Sequence, residues 1–325
     1  MATREAAFIA QVLSMGEILI DFIVDDGTTS LEAAAGFVAR SGGAPANAAV
    51  ALARLGIPSA FCGVAGNDPF GARLRGELAT ENVDTSRLRQ TDEAATTLAF
   101  AWKDFRGDGH FWLLRGADTL LSPGDVAGAK IADLAALMVG SVSLAAQPSR
   151  SAIGVAVTQA QAASVPVIFD VNLRPTLWTQ PDDALPVCEQ IAGQSHLVKL
   201  SLDDALGLFG PGATPATAIE RMLKLGPRCV VLTDGARGCW FACASASGIS
   251  FVPSFEVDAI EPTGAGDAFS AALISRMMAS MWADPSRDDI RYAAAAGALA
   301  TTRRGAWDGL PNQSQLASFL KAHSS

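Results

Sequence analysis

Charged side chains are scarce in this chain of 325 residues, where they make up 18% of the total, and aromatic residues make up only 7%. Positive charge is the scarcer sign, because 24 Lys and Arg face 33 Asp and Glu, and the net charge is −9. An acidic chain lacks the basic surface with which general nucleic-acid binders attract phosphates, so we expect no nucleic-acid partner. Half of the residues are hydrophobic, which excludes a disordered chain.

Long apolar runs are also lacking. A membrane-spanning helix needs about 20 apolar residues, and the best candidate, Ile131–Ala146, is shorter and contains Asp133. The N-terminal run Ala6–Leu13 is soon followed by Glu17 and has no small-residue cleavage site ahead of polar sequence, so we do not interpret it as a signal peptide. We therefore expect a cytoplasmic protein with no membrane partner.

Cysteine is sparse and scattered along the chain. The five cysteines are Cys62, Cys188, Cys229, Cys239 and Cys243. Their number is odd and no two of them form a CxxC pair, so the sequence indicates neither a disulfide framework nor a zinc site. We expect all five to be buried, reduced thiols.

Short apolar runs alternate with segments of helical periodicity, which predicts an α/β fold with a mostly parallel central sheet and helices on both faces. The predicted strands are Phe8–Ser14, Ser59–Val64, Ala136–Val142, Pro166–Asp170, Leu197–Leu200 and Cys229–Thr233. The predicted helices are Ala46–Leu55, Phe70–Glu81, Arg150–Ala163, Leu202–Phe209, Ala216–Leu225, Ala265–Met281, Asp288–Thr302 and Gln313–Ala322.

Two regions interrupt this alternation with paired strands. Ile18–Val24 pairs with Gly36–Arg40, and Thr97–Lys103 pairs with His110–Leu114 across the turn Phe105–Gly109. Such β segments can form a small sheet over one end of the main domain. Because no linker or repeat divides the chain, we expect one domain over residues 1–325, with a lid built from about 18–40 and 97–115.

The strongest local motif is the glycine-rich turn that opens a helix in Pro262–Phe269. Small residues at Gly264, Ala265 and Gly266 let the backbone approach a ligand closely, and the free N–H groups of a first helical turn bind anions. Asp267 lies in that same turn, beside the expected anion. A carboxylate there is placed to act as a general base.

Other polar groups stand where predicted strands and turns end. Ser41–Asn47 is a second glycine-rich turn that opens a helix, Asp21 follows the first strand, and Asp170–Arg174 follows another strand. Ligands of open α/β sheets lie beyond such strand ends. An anion cradle beside a base suits phosphoryl transfer to a hydroxyl group. The chain has neither a G-x-x-x-x-G-K-[ST] P-loop nor a G-x-G-x-x-G turn after its first strand.

Together these motifs resemble, in family order, those of the ribokinase-like carbohydrate kinases, and specifically the fructokinase branch. The similarity runs from about Met15 to Leu320. The matching segments are Gly16–Phe22, Gly42–Asn47, Ala53–Gly56, Arg115–Asp118, Phe169–Pro175, Gly264–Phe269 and Thr302–Ala306.

The resemblance implies an ATP-dependent sugar kinase in which Asp267 is the catalytic base on a sugar hydroxymethyl group. It assigns the backbone N–H groups of Gly264, Ala265 and Gly266 to an anion hole for the γ-phosphate. It also implies a β lid that often forms a homodimer interface. The residues expected to bind the sugar are Asp21, Gly42, Gly43, Asn47 and Arg174.

The same resemblance assigns a nucleotide site and a magnesium ion. The residues expected to line the nucleotide are Ser201, Thr233, Gly235, Gly238, Ala294 and Gly297. Asp204 is expected to hold Mg²⁺ through water, at a position where the family often has Glu. The family usually has Asp where this chain has Glu261, followed here by Pro262, in a monovalent-cation site that includes the loop Arg303–Gly305. Activation by potassium is therefore left open.

The favoured activity is transfer of phosphate from ATP to D-fructose. Arg106, Arg115 and Arg174 could instead meet an anionic sugar, so 2-keto-3-deoxygluconate stays an alternative substrate, as do ribose and a nucleoside. A non-catalytic sugar-binding regulator is an alternative of another class. An NAD-dependent dehydrogenase is disfavoured by the missing dinucleotide fingerprint.

Overall fold

The computed structural model describes residues 10–106 and 109–323. Within these ranges the chain forms a nine-stranded sheet and a separate four-stranded sheet. The strands are β1 Val12–Met15, β2 Leu19–Val24, β3 Phe37–Gly42, β4 Ser59–Gly66, β5 Val83–Thr91, β6 Thr97–Lys103, β7 Gly109–Leu114, β8 Ala136–Gly140, β9 Val167–Asp170, β10 Leu197–Ser201, β11 Cys229–Thr233, β12 Cys239–Cys243 and β13 Ser250–Val252.

The large sheet has the order β13-β12-β11-β10-β9-β8-β1-β4-β5. Its strands from β11 to β5 pair in parallel, whereas β12 and β13 are antiparallel additions at one edge. The central strands are buried along their whole length, as a sheet covered on both faces requires. The predicted mostly parallel α/β fold is confirmed.

Helices cover both faces of this sheet and enclose two apolar cores. They are α1 Ala44–Arg54, α2 Pro69–Thr80, α3 Pro123–Ala127, α4 Ser149–Ala162, α5 Ala184–Ala192, α6 Leu202–Phe209, α7 Pro215–Leu223, α8 Ala265–Ala279, α9 Arg287–Ala300, α10 Ala306–Gly309 and α11 Gln313–Ala322. One core packs α1, α8 and α9 against the sheet, and the other packs α4, α5 and α7 against its opposite face.

The small sheet forms the predicted lid and has the order β3-β2-β6-β7. Strand β2 pairs antiparallel with β3 and parallel with β6, which pairs antiparallel with β7. The two predicted strand pairs are confirmed, with β3 extending to Gly42. The turn predicted at 105–109 includes residues 107 and 108, which lie outside the described residues.

The predicted helices, and the predicted strands after the first, lie within two residues of those observed. The first strand begins at Val12 rather than Phe8, and residues 8 and 9 lie outside the described residues. Strand β5 was not predicted, because its sequence VDTSRLRQT is polar and half-exposed at the edge of the sheet. Helix α5 was also missed, since Pro186 stands in its first turn.

The expectation of five reduced cysteines is wrong for two of them. Cys229 and Cys243 face each other across the antiparallel pair β11–β12 and are joined by a disulfide. Their separation of 14 residues in sequence hid a contact that the register of the two strands creates. Cys62, Cys188 and Cys239 are free and buried, as expected.

Among the described residues, no helix is both long and apolar enough to cross a membrane.

Asp68 joins α2 to the base of the lid. Its Oδ1 accepts the Gly71 N–H at 2.8 Å and caps the helix, and its Oδ2 accepts the Thr96 N–H at 2.7 Å just before β6. The Thr96 hydroxyl also donates to Oδ1, at 2.8 Å. One side chain therefore satisfies donors on two elements.

We predict that Asp68→Ala lowers the free energy of unfolding by about 2–3 kcal/mol, because it removes a helix cap and leaves the Thr96 N–H without its acceptor. Urea denaturation at pH 7 measures the loss. The matched control is Asn312→Ala, which removes a cap from α11 that accepts only the Gln315 N–H and should cost about 1 kcal/mol. Equal losses in the two variants would show that Asp68 is only a cap.

Candidate active site

A pocket lies between the lid and the carboxyl ends of the parallel strands. The lid contributes Leu19, Asp21 and Phe111, whereas the main sheet contributes Asp170, the last residue of β9, and Lys199, the middle residue of β10. The start of α8 closes the remaining side. The residues that sequence analysis placed in separate motifs therefore meet at one edge of the sheet, where ligands of open α/β sheets lie.

The first turn of α8 is shaped by two glycines. Gly264 has φ of 84°, and a Cβ there would lie 3.1 Å from the backbone of Ala306. A Cβ on Gly266 would lie 2.7 Å from Nζ of Lys199. The Ala265 N–H donates to the Pro262 carbonyl at 3.1 Å, whereas the N–H groups of Gly264 and Gly266 have no acceptor among the described residues. Such unpaired N–H groups at a helix start attract anions.

Asp267 is buried in this turn and is held by a chain of hydrogen bonds. Nδ2 of Asn47 donates to Oδ2 of Asp267 at 2.8 Å, and Nε1 of Trp307 donates to Oδ1 of Asn47 at 2.7 Å. The indole fixes which way the amide points, so the amide N–H faces the carboxylate. Burial, reinforced by the neighbouring Asp170, raises the pKa of Asp267 to about 6, while Asn47 and Lys199 oppose the rise. A base with this pKa is ionised at neutral pH and accepts a proton readily.

Asp170 and Lys199 form a buried ion pair beside Asp267. Nζ of Lys199 lies 3.0 Å from Oδ1 and 3.1 Å from Oδ2 of Asp170. Oδ2 of Asp170 also accepts a hydrogen bond, at 2.8 Å, from the hydroxyl of Ser270 in the second turn of α8. Burial lowers the pKa of Lys199, but the nearby carboxylates more than offset this and raise it, so the ammonium stays charged.

Asp21 enters the pocket from the lid strand β2. A Cβ on Gly42 of β3 would overlap Oδ2 of Asp21, although Gly42 itself is not among the residues that line the pocket. Gly43 follows with φ of 102°, and a Cβ on it would lie 2.6 Å from the Glu17 carbonyl. Burial raises the pKa of Asp21 to about 7, and the carboxylates of Glu261 and Asp267 add to the effect while Arg174 opposes it.

The three candidate arginines differ in position. Arg174 lines the pocket, where its guanidinium lies 5.9 Å from the ring centroid of Phe111 on the lid. Arg115 is held outside the pocket lining by Asp118 and by the Val142 carbonyl at 2.9 Å. Arg106 is exposed at the tip of the lid, with its guanidinium over the ring of Phe105. Of the three, only Arg174 is placed to meet a ligand in this pocket.

The residues predicted to bind nucleotide and magnesium lie outside the pocket lining. Ser201 and Asp204 form a capping box at the start of α6, with Oδ2 of Asp204 accepting the Ser201 N–H at 2.7 Å. Its Oδ1 accepts the Leu173 N–H at 2.7 Å. Thr233 ends β11, Gly235 and Gly238 form the following turn, and Ala294 and Gly297 lie on α9. Their roles toward ATP stay predictions.

Two functional candidates were not singled out from the sequence. Glu17 is 2% exposed and lines the pocket, and its Oε2 accepts a hydrogen bond from the Ser143 hydroxyl at 2.7 Å. Burial raises its pKa to about 7. Lys199 lies in the predicted strand Leu197–Leu200 and was given no role from the sequence. A lysine inside a buried apolar strand is rare unless it is paired, and that signal could have identified it.

Comparisons with known proteins agree with this geometry. Residues 9–313 match the pfkB family of carbohydrate kinases. Fructokinase-2 of Zea mays is 35% identical over 306 residues, which cover 92% of this chain and 91% of that protein. The chain therefore belongs to the pfkB carbohydrate kinase family.

Solved structures show the same similarity in three dimensions. Fructokinase from Xylella fastidiosa with bound ATP has a TM-score of 0.86 at 31% identity, covering 97% of this chain and 99% of that one. A fructokinase double mutant from Vibrio cholerae O395, with fructose, ADP and a potassium ion bound, has a TM-score of 0.85 at 32% identity, covering 96% of this chain and 98% of that one. These relatives support the expected ribokinase-like fold.

The pKa of Asp267 predicts a pH dependence for the kinase. The predicted role of Asp267 as general base requires an ionised carboxylate, so we expect activity to fall as pH decreases through about 6. In Asn47→Ala the charged form loses a hydrogen bond, which raises the pKa. We expect the acid limb of kcat/KM to move to higher pH by about half a unit or more.

The matched control is Trp307→Phe, which removes the bond to Asn47 but keeps the amide beside Asp267. Its acid limb should move less than that of Asn47→Ala. The acid limb of the pH profile is read from kcat/KM because that ratio reports ionisations of the free enzyme. Superimposable acid limbs for wild type and Asn47→Ala would contradict the role given to this hydrogen bond.

Proposed function

We propose that the protein is a fructokinase, which transfers the γ-phosphate of ATP to the terminal hydroxymethyl group of D-fructose and forms fructose 6-phosphate. One observation carries the proposal: the buried carboxylate of Asp267 stands in the first turn of α8, within the glycine turn, and lines a pocket of about 280 Å³ between the lid and the sheet. The fructokinase relatives, one of them with fructose and ADP bound, support the choice of sugar.

The residues divide the reaction between them. Asp267 accepts the proton of the sugar hydroxyl while the sugar oxygen forms a bond to the γ-phosphorus. The bond between the γ-phosphorus and the bridging oxygen breaks, and ADP leaves with that oxygen. The N–H groups of Gly264 and Gly266 face the negative charge of the transferred group. The N–H of Ala265, the third group of the predicted anion hole, donates to the Pro262 carbonyl in this structure and would have to give up that bond to take part. Bound Mg²⁺ supplies charge neutralisation of the phosphates.

The walls of the pocket suit a neutral sugar. Asp21 and Asn47 offer a carboxyl and an amide to sugar hydroxyls, and Gly42 and Gly43 let the backbone come close to the ring. The apolar side chains of Leu19 and Phe111 face the same space from the lid. A closed lid excludes the water that would otherwise hydrolyse ATP.

A sugar acid is the second candidate substrate, and Arg174 is the observation that favours it. The guanidinium lines the pocket, donates to the Leu173 carbonyl at 3.0 Å and forms no ion pair among the described residues. A substrate carboxylate such as that of 2-keto-3-deoxygluconate would form an ion pair with this guanidinium. Ribose and nucleosides stay further alternatives on the same scaffold.

The residues at the two expected cation sites are already engaged in hydrogen bonds within the chain. Both oxygens of Asp204 already accept backbone N–H groups, so the site fits a hydrated Mg²⁺, bound through water, rather than direct coordination. Oε2 of Glu261 accepts the Gly305 N–H at 3.1 Å, so this longer side chain does reach the loop of the expected monovalent-cation site. Carboxylate and carbonyl oxygens, which Glu261 and this loop offer, are the kind of ligand that hard cations take. Potassium dependence stays a prediction.

The lid presents an apolar surface on the side away from the pocket. Phe37, Trp112 and Leu114 are 36%, 52% and 52% exposed on this face, and the ring of Trp112 stacks on Phe100 at 5.5 Å. Exposed apolar patches of this kind mark interaction sites. We predict a homodimer through the lid and a cytoplasmic location.

A screen of sugars tests the substrate. ADP formation measured with D-fructose, 2-keto-3-deoxygluconate, ribose and adenosine should give the highest kcat/KM for fructose. Asp267→Asn should lower kcat by about 10²–10⁴ with sugar affinity little changed, because it removes the base and keeps the shape. Near wild-type turnover in this variant would exclude Asp267 as the base, and sugar binding without ADP formation would support a regulator instead.

Light scattering of the eluting protein tests the dimer. The double variant Trp112→Glu/Leu114→Glu places charge on the apolar lid face and should convert a dimer to a monomer. The control is Ile260→Glu, which charges an exposed apolar residue far from the lid strands in sequence and should leave the dimer intact. A wild-type protein that elutes as a monomer would contradict the prediction.

A further inference from the structure

We propose that the ammonium of Lys199 binds the transferred phosphoryl group directly, from beneath the glycine turn, and is a catalytic residue of this kinase. The proposal rests on phosphoryl transfer at Asp267 and not on the identity of the sugar. It adds a side-chain cation to an anion hole that is otherwise made of backbone N–H groups.

The position of Nζ is the first support. Lys199 is 6% exposed and lines the pocket. Its Nζ lies where it would be 2.7 Å from a Cβ on Gly266, so the ammonium is packed against the turn whose free N–H groups face the phosphate. A side chain at position 266 would displace the ammonium. Glycine is therefore needed there to leave room for Lys199.

The unused proton is the second support. An ammonium has three N–H donors, and the described residues offer Nζ only the two oxygens of Asp170, at 3.0 and 3.1 Å. At least one donor is therefore free in a group that is nearly fully buried. An unmet charged donor in the interior is costly. Because Lys199 lines the pocket, an acceptor that enters the pocket can take this N–H, and an anion forms the stronger, charge-assisted bond.

The surrounding charge is the third support. The described residues that line the pocket include two cations, Lys199 and Arg174, against the carboxyl groups of Glu17, Asp21, Asp170 and Asp267. Arg174 packs on the lid ring of Phe111, whereas Lys199 packs against Gly266. Lys199 is therefore the cation placed at the reacting phosphate rather than at the sugar.

Asp170 holds this cation in place. It accepts hydrogen bonds from Nζ of Lys199 and from the Ser270 hydroxyl, the latter at 2.8 Å, and so joins β10 to the second turn of α8. The ammonium needs no reorganisation when charge develops on the equatorial oxygens of the phosphoryl group, and such preorganised donors stabilise a transition state most strongly. The proton released from the sugar hydroxyl passes to Asp267, while Lys199 keeps its own protons.

The test compares Lys199→Met with the wild type and with Lys224→Met, which removes an exposed lysine at the end of α7. Two quantities are measured: kcat with whichever sugar the wild type phosphorylates, and the Kd of Mg-ADP with and without aluminium fluoride, which mimics the transferred group. We expect Lys199→Met to lose about 10²–10³ in kcat. Its affinity for ADP–aluminium fluoride should fall by a similar factor, while its affinity for ADP alone changes less than about threefold.

A second variant separates this role from a structural one. Lys199→Met leaves Asp170 as an unpaired buried charge, which lowers the melting temperature, whereas Asp170→Asn/Lys199→Met removes both charges and should recover it. The proposal predicts that kcat and ADP–aluminium fluoride affinity stay low in the double variant. Recovery of both, or equal weakening of ADP with and without aluminium fluoride, would overturn it. The binding measurements need no sugar, so they stand even if fructose is not the substrate.

Discussion

The hydrogen bond between Asn47 and Asp267 joins side chains 220 positions apart, and the geometry of the pocket depends on it. Asn47 belongs to α1, which starts behind the Gly43 turn, and Asp267 belongs to the first turn of α8. Trp307 of α10 completes the contact by fixing the amide. Because buried polar groups without partners cost about 1–3 kcal/mol each, this chain of bonds favours one relative placement of the three helices. Asp267, the proposed base, and both glycine turns are therefore held in place by contacts within the chain.

The pocket holds carboxyl groups on one side and positively charged features on the other, an arrangement that suits a kinase. The pKa values of Glu17 and Asp21 are raised to about 7 and that of Asp267 to about 6, in each case mainly by burial. The acidic chain thus keeps several carboxyl groups where we propose that the proton of a sugar hydroxyl is accepted. Its positive features, the start of α8 and Lys199, lie on the side proposed to face the phosphate. An acidic protein can bind ATP because these features are local and buried.

Local motifs predicted most of the site, and long-range packing supplied the rest. Asp267, Gly264 and Asn47 could be found from the sequence because glycine turns that open helices have a strong pattern. The contact between Asn47 and Trp307 could not, since it depends on how α10 packs on α1. The same holds for the disulfide between Cys229 and Cys243, which follows from the register of an antiparallel pair at the sheet edge.

The main sheet and the lid were predictable for a similar reason, because buried parallel strands and paired lid strands have distinct periodicities. The polar edge strand β5 has neither pattern, and only its neighbour β4 shows that it is a strand. Lys199 and Glu17 are the clearest omissions in the site. Glu17 follows the apolar strand β1 and Lys199 lies inside β10, and only the fold shows that each faces a pocket.

The central claim is that Asp267 directs phosphate onto a sugar hydroxymethyl group, and the position of the phosphate in the product tests it most directly. Phosphorus and carbon NMR of the product formed from ATP and ¹³C-labelled fructose would locate the new ester. The account predicts a phosphomonoester on C6, with coupling between phosphorus and that carbon. An ester on C1, or inorganic phosphate as the sole phosphorus product beside ADP, would contradict it.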